Sequence, residues 1–368
     1  MLETRKIQVA VSGGGLAGAA IAKALYQKAH MKRMAVGLAI NAQRALSKLV
    51  PDLGNMFERA DAVAINSTRV MLAAGPHAGT KVIDLAEENP GKTLHRAALV
   101  RELLDPIPKD CLHAGKKLVK ITNPDGIFGT VRAHVLGEKH EAVKPVAADW
   151  AGVMNMVPFP KAEANLGAET LTDNRQYGRV SDGGILIHDS VMGGKMVQCI
   201  GTSVVDSTSG TRRIPIDREY LNNAFASCID GHVARGMIDY EYKNALTYVK
   251  ERVCIAGDAA HAMTPWQGSG AATALEDAVI LGALFEQIRS PDEVEQALKV
   301  YDAVRLPRSQ RIAESSRQTG RILSGIASDI GLDPVKMYEA LVDRWGFIYD
   351  FDLDRHVEDA IISLQDVT

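Results

Sequence analysis

Ile7-Gln8-Val9-Ala10-Val11-Ser12-Gly13-Gly14-Gly15-Leu16-Ala17-Gly18 decides how this chain begins and, with it, the class of fold. Ile7 to Val11 alternates β-branched residues as a short strand does, the glycines mark a turn, and the Ala-rich run to about Ala29 predicts a helix. Gly13, Gly15 and Gly18 stand at G-x-G-x-x-G spacing directly between the two elements. Such glycines allow a tight turn, let backbone amides approach a pyrophosphate and let helix pack closely on strand, while the helix N-terminus adds favourable partial charge.

Upstream, Arg5 and Lys6 before the apolar stretch Ile7 to Ala22 imitate a signal peptide, but the three glycines in its middle break a signal helix and suit a strand-to-helix turn. Downstream, the companion of the glycine turn is missing. An Asp or Glu about 20 residues on should accept from the adenosine ribose hydroxyls, yet no acidic residue lies between Glu3 and Asp52. Lys32 and Arg33 read more simply as helix-end cations than as binders of a 2'-phosphate.

Further along, helices are expected over Asn41–Leu49 and Thr93–Leu104, each stopped by proline. From Glu138 to Lys250 the texture turns to strands: Gly184–His188 and Lys195–Ile200 flank a Gly193-Gly194 hairpin turn, and Ile214–His232 is expected to be a helix. Arg252–Ala256 reads as a strand, Gly270–Ile288 as a helix, and Glu293–Asp329 as a charged helical tail. The expected fold class is α/β: a discontinuous Rossmann-like unit (1–137 and 250–325), an inserted mixed β-sheet unit (138–249), and a C-terminal helical segment (326–368).

Composition narrows the function. With 368 residues, 46% hydrophobic and 24% charged, the chain is of the globular class. A net charge of -3, with no basic run, argues against nucleic acid as a partner. Cys111, Cys199, Cys228 and Cys254 form no CxxC pair, which argues against zinc and against a disulfide framework and suits a reducing, cytoplasmic setting. No stretch approaches the roughly 20 apolar residues of a membrane span, and no two- or three-His metal constellation is visible.

The chemistry concentrates in Arg252-Val253-Cys254-Ile255-Ala256-Gly257-Asp258-Ala259-Ala260-His261-Ala262-Met263-Thr264-Pro265-Trp266-Gln267-Gly268-Ser269-Gly270-Ala271 and the helix that follows. Asp258, at a strand end, can hold a ribose hydroxyl, and the amides from Gly268 to Ala271 can hold negative charge. Glu276 and Asp277 read as early-helix charges rather than catalysts. This block resembles the GD motif of the FAD-dependent aromatic hydroxylases, the single-component flavoprotein monooxygenases that include salicylate and para-hydroxybenzoate hydroxylases.

That resemblance implies that Gly257 and Asp258 bind the ribityl or ribose part of FAD and that Pro265, Gly268, Gly270 and Ala271 lie beside the isoalloxazine ring, with Trp266 where His or Phe is commoner. Leu94–Leu99 is similar to the segment whose arginine contacts FAD, which implicates Arg96. Asp125–Arg132 is similar to the DG motif, which implicates Asp125 and Gly126 in FAD and NAD(P)H binding. Taken alone, Asn123-Pro124-Asp125-Gly126 is an ordinary turn. Met192–Val197 resembles the substrate-domain hairpin, and Tyr301–Gly320, with Arg305, Arg308 and Arg311, the long helix after the GD motif. The likeness covers nearly the whole chain and is nearest to fungal salicylate-hydroxylase-like members.

Two pieces of that pattern are absent: the second strand with its acid before Gly37, and the strands that separate Gly115–Val119 from Asp125. The resemblance implies a monooxygenase that uses FAD, NAD(P)H and molecular oxygen to hydroxylate a small aromatic acid or phenol through a flavin hydroperoxide. The alternative is a degenerate, non-catalytic member that has lost FAD. A plain nicotinamide dehydrogenase leaves the block around Asp258 unexplained. His188 and His261 are considered as site histidines, neither with a catalytic assignment.

Overall fold

The structure is a computed structural model, and it describes residues 9–13, 15–25, 35–85, 88, 90–112, 130–205, 213–215 and 235–366. In chain order these form α1 (Leu16–Leu25), β1 (Ala35–Leu38), α2 (Ile40–Leu49), α3 (Leu53–Arg59), β2 (Val63–Ile65), β3 (Thr68–Leu72), β4 (Lys81–Leu85), β5 (Gly91–His95) and α4 (Arg96–Leu104). There follow α5 (Thr130–Leu136), β6 (Val146–Pro158), α6 (Phe159–Leu166), β7 (Gln176–Ser181), β8 (Gly184–Val191), β9 (Met196–Val204), β10 (Arg213–Pro215), β11 (Arg235–Glu241), β12 (Val249–Lys250) and β13 (Val253–Cys254). The C-terminal third is helical: α7 (Asp258–His261), α8 (Gly270–Gln287), α9 (Val294–Leu323), α10 (Pro334–Leu341), α11 (Gly346–Tyr349) and α12 (Leu353–Gln365).

The fold is α/β, with a mixed eight-stranded sheet in the order β10-β11-β6-β9-β8-β7-β3-β4, where β3 and β7 run parallel. Its centre is the β8–β9 hairpin, turned where Gly193 and Gly194 take positive φ and register brings Val191 opposite Met196. This sheet is not confined to 138–249, because β3 and β4 lie within the 1–137 stretch assigned to the other unit. The parallel pairing of Thr68–Leu72 with Gln176–Val180 draws them in.

α8 is apolar almost all round and therefore central rather than peripheral. It packs against α1, α2, α9 and α12. α9 runs 30 residues with Pro307 inside, where a missing N–H removes one helical hydrogen bond. Past it, the Asp333 and Asp352 carboxylates accept from the first-turn amides of Val335 and Arg355, both at 2.9 Å, and so start α10 and α12.

Several expectations need correction. Val9 to Val11 are not in a strand and are exposed, and β13 is two residues long, paired only with β12. A strand needs ladder partners on its flanks, and among the described residues the neighbouring strands of a parallel sheet are missing; β1, β5 and β2 make an antiparallel sheet instead. Thr93–His95 belongs to β5, so the third helix starts at Arg96. Ile214 lies in β10 rather than opening a helix, and 216–232 fall outside the described residues.

Candidate functional site

The glycine turn forms as the spacing requires. A Cβ on Gly18 would sit 1.8 Å from the Gly13 carbonyl oxygen, so any larger residue breaks the turn. Gly13 itself has φ 118°, a value suited to glycine. Arg96, the first residue of α4, reaches back until its guanidinium nitrogen is 3.5 Å from where a Gly15 Cβ would lie. Among the described residues no carboxylate pairs with it, so a cation and the N-terminus of α1 converge on one point, a donor set suited to phosphate.

Opposite stands the turn into α7. Gly257 has φ 56°, and a Cβ there would meet the Ala17 methyl at 2.4 Å, so this glycine lets the Asp258 loop close onto α1. Asp258 is exposed and lines two cavities. The first, about 930 Å³, holds Gly13, Gly15, Gly18 and Arg96 in its wall. The second, about 460 Å³, runs beneath the Pro265 turn to the face of the eight-stranded sheet. Val36, Asp258, Gly270 and Ala271 border both, so one long ligand can pass from the glycine turn to the sheet.

Along the second cavity Pro265 and Gly268 are exposed while Trp266, Gln267 and Ser269 between and after them are buried. Trp266 meets Trp150 edge-on, with centroids 5.3 Å apart, and packs on Gly320 of α9, where a Cβ would lie 2.4 Å from the indole nitrogen. Trp345 and Tyr349 complete that end. The structure thus brings together Gly13, Gly15, Gly18, Arg96, Gly257, Asp258, Pro265, Gly268, Gly270 and Ala271, whereas Asp125 and Gly126 lie outside the described residues.

A buried ionic network fixes the Gly257–Asp258 turn. Asp277 Oδ2 accepts from the Gly257 amide at 2.9 Å and lies 2.7 Å from His261 Nε2, while Oδ1 accepts from Arg305 Nε at 2.9 Å. Arg305 also reaches Glu276 at 2.9 Å, and Arg308 grips the same carboxylate through two bonds, 2.8 and 2.9 Å. Burial opposes ionisation of Asp277, but His261 and Arg305 outweigh it and hold this carboxyl below the ordinary range. Glu276 and Asp277, read from the sequence as early-helix charges rather than catalysts, are fully buried supports; their spacing to Arg305 and Arg308 on the next helix was the available signal.

His188 faces away from the cavity. Residues alternate across a strand, and on β8 it is Ile185 and Ile187 that line the cavity, while His188 stacks on Tyr177, centroids 5.4 Å apart. Its burial lowers the imidazole to about 4, so it is neutral. The side chains that do face inward, Gln176, Gln198 and Thr202, were not singled out from the sequence; the polar–apolar–polar series Gln198, Ile200, Thr202 at period two was the visible trace.

Comparison with known proteins follows the same lines. A family model described as an FAD binding domain matches residues 124–316. The 6-methylsalicylate 1-monooxygenase of Aspergillus terreus is 28% identical, covering all of this chain and 94% of the relative, and the alignment runs over 433 positions against 368 residues here. The relative therefore carries segments that this chain lacks. An FAD-dependent monooxygenase of Phaeosphaeria nodorum is 27% identical over 97% of this chain and 86% of its own. Among solved structures, a salicylate hydroxylase substrate complex superposes with TM-score 0.78 at 22% identity, covering 95% of this chain and 96% of the other, a likeness of fold.

Proposed function

Since the chain belongs to the FAD-binding family of aromatic hydroxylases, we propose that it is an FAD-dependent monooxygenase that hydroxylates a small aromatic ring in the cavity between the Pro265 turn and the sheet. The observation that carries this reading is the pair of cavities meeting at Asp258, Gly270 and Ala271, one ending in a phosphate-type donor set and the other in an apolar, aromatic-walled chamber.

The residues fit FAD in three places. The Gly13–Gly18 turn, where a Cβ at Gly18 has no room, takes the pyrophosphate together with Arg96. Asp258 takes hydroxyls of the ribityl chain. Gly268 and the N-terminus of α8 leave open backbone beside Pro265 for the edge of the ring system, where the amides of Gly270 and Ala271 stabilise negative charge. By resemblance, Asp125 and Gly126 join the cofactor set. When bound, FAD supplies the activation of molecular oxygen, with NAD(P)H as the electron source.

The protein's own part is positioning and exclusion of water. Trp266, Leu323, Trp345 and Tyr349 close one side of the chamber, and Ile185, Ile187 and Ile200 floor it. The Asp277–Arg305–Glu276 network keeps the Asp258 turn rigid while leaving Asp258 free to face a ligand. The first test is the visible spectrum after FAD is added and the excess removed, followed by NAD(P)H-dependent oxygen uptake with simple phenols. A retained flavin spectrum and ring-stimulated uptake are expected; a colourless protein overturns the proposal. That outcome would favour a second reading, a non-catalytic descendant, motivated by the missing acid between Glu3 and Asp52.

A further inference from the structure

The wall of the second cavity holds buried polar atoms that the fold leaves unsatisfied. Gln198 and Thr202 of β9 line it, and Ser67 lines it just before β3. They are 6%, 5% and 2% exposed, and Gln198 Oε1 and both hydroxyls have no hydrogen-bond partner. Buried polar atoms are ordinarily paired because leaving them unpaired is costly. Two more lining residues hold unpartnered atoms, Trp266 Nε1, which lies against Gly320, and Gln267 Oε1, whose amide donates to the Arg344 carbonyl; the three on the sheet side mark where a ligand's polar groups complete the bonding.

The orientation of Gln198 decides which groups fit. Its Nε2 donates to Asp189 Oδ1 at 3.4 Å, and Gln176 Nε2 donates to the same oxygen at 3.1 Å. Gln176 is further held by the Thr68 hydroxyl, which donates to its Oε1 at 3.2 Å. Gln198 is thereby left with an unused acceptor. An acceptor matches the O–H of a phenol and not an ionised carboxylate, which only accepts.

The local charges point the same way. Asp258 lines the cavity and Asp189 lies directly behind the two amides. Among the described residues one cation lines the cavity, Lys92, and its ammonium sits 5.2 Å from the ring centroid of Phe57, which does not line it. A ligand carboxylate bound at Gln198 would face these acids, and the one cation in the wall is placed against the Phe57 ring.

We infer that the ring taken up here is an uncharged phenol, its hydroxyl donating to Gln198 Oε1 with Thr202 and Ser67 as flanking partners, and that aromatic carboxylates are rejected. This rests on the reading above that the second cavity holds the ring to be hydroxylated. Gln198 is then the residue that sets specificity.

Calorimetric titration of the protein, with and without added FAD, tests it using phenol and salicylamide against benzoate and salicylate. The neutral ligands are expected to bind at least about tenfold more tightly; Gln198→Leu should weaken them by about tenfold without lowering the melting temperature, and Gln198→Lys should turn the preference toward salicylate. Carboxylates binding equally or better, no binding of either neutral ligand at millimolar concentration, or an unchanged ranking in Gln198→Leu would each overturn it. A neutral preference in a protein that takes up no flavin overturns the monooxygenase reading and leaves this one standing.

Discussion

Asp189 shows how a single buried side chain links the cavity wall to stability. Burial raises its carboxyl to about 6, against the hydrogen bonds from Gln176 and Gln198 that favour the charged form. The ordinary value is about 3.9, so the folded chain holds this proton more tightly than the unfolded one. Its contribution therefore favours folding fully below about pH 4 and is lost as pH rises through 6. Asp189→Asn, neutral in both states, should be more stable than the parent by roughly 2–3 kcal/mol at pH 8 and equal to it at pH 4, as read by denaturant unfolding. A gap independent of pH would show that the ionised carboxylate is not what the fold strains to bury. The sequence could not disclose this, because Asp189 meets Gln176 and Gln198 only across three paired strands.

At the scale of elements, α9 is the strut that joins the Asp258 turn to the C-terminal helices. Arg305 and Arg308 flank Pro307 and both reach into α8. Arg308 also donates to the Phe347 carbonyl at 3.2 Å, with its guanidinium 3.3 Å from the Phe351 ring centroid, so one planar fork ties α8 to the segment that carries Trp345 and Tyr349. Lysine keeps the charge but not the fork or the stacking surface. Arg308→Lys should destabilise the fold by about 1–3 kcal/mol and expose residues 346–366 to limited proteolysis; resistance equal to the parent would show the segment is held without Arg308. Helices α2, α8 and α9 were legible in the sequence because each has its own periodicity and stop signals. The strand expected at Ile7–Val11 is not formed over Val9–Val11, because a strand's existence depends on neighbours, and the motif that announces it says nothing about whether they are present.

For the whole molecule the same distinction separates what was readable from what was not. The residues proposed to hold the cofactor stand out in the sequence because glycine turns, Pro265 and Asp258 act through local backbone geometry; the cavity wall does not, because Ser67, Gln198 and Trp345 meet only in three dimensions. The missing acid now has a measurable consequence. The proposed phosphate site keeps Arg96 at the glycine turn, while no acid lies between Glu3 and Asp52 to hold the adenosine ribose. Loss of one charged hydrogen bond of this kind is worth about 1.5–3 kcal/mol, or roughly ten- to hundredfold in affinity. A ligand that binds only the folded state stabilises it in proportion to the logarithm of its concentration over Kd. At equal concentrations FAD and FMN, which lacks the adenosine end, should therefore raise the melting temperature by comparable amounts. A rise with FAD far larger than with FMN would mean that another side chain has replaced the missing acid, and no rise with either at any concentration would mean that the chain does not hold the cofactor.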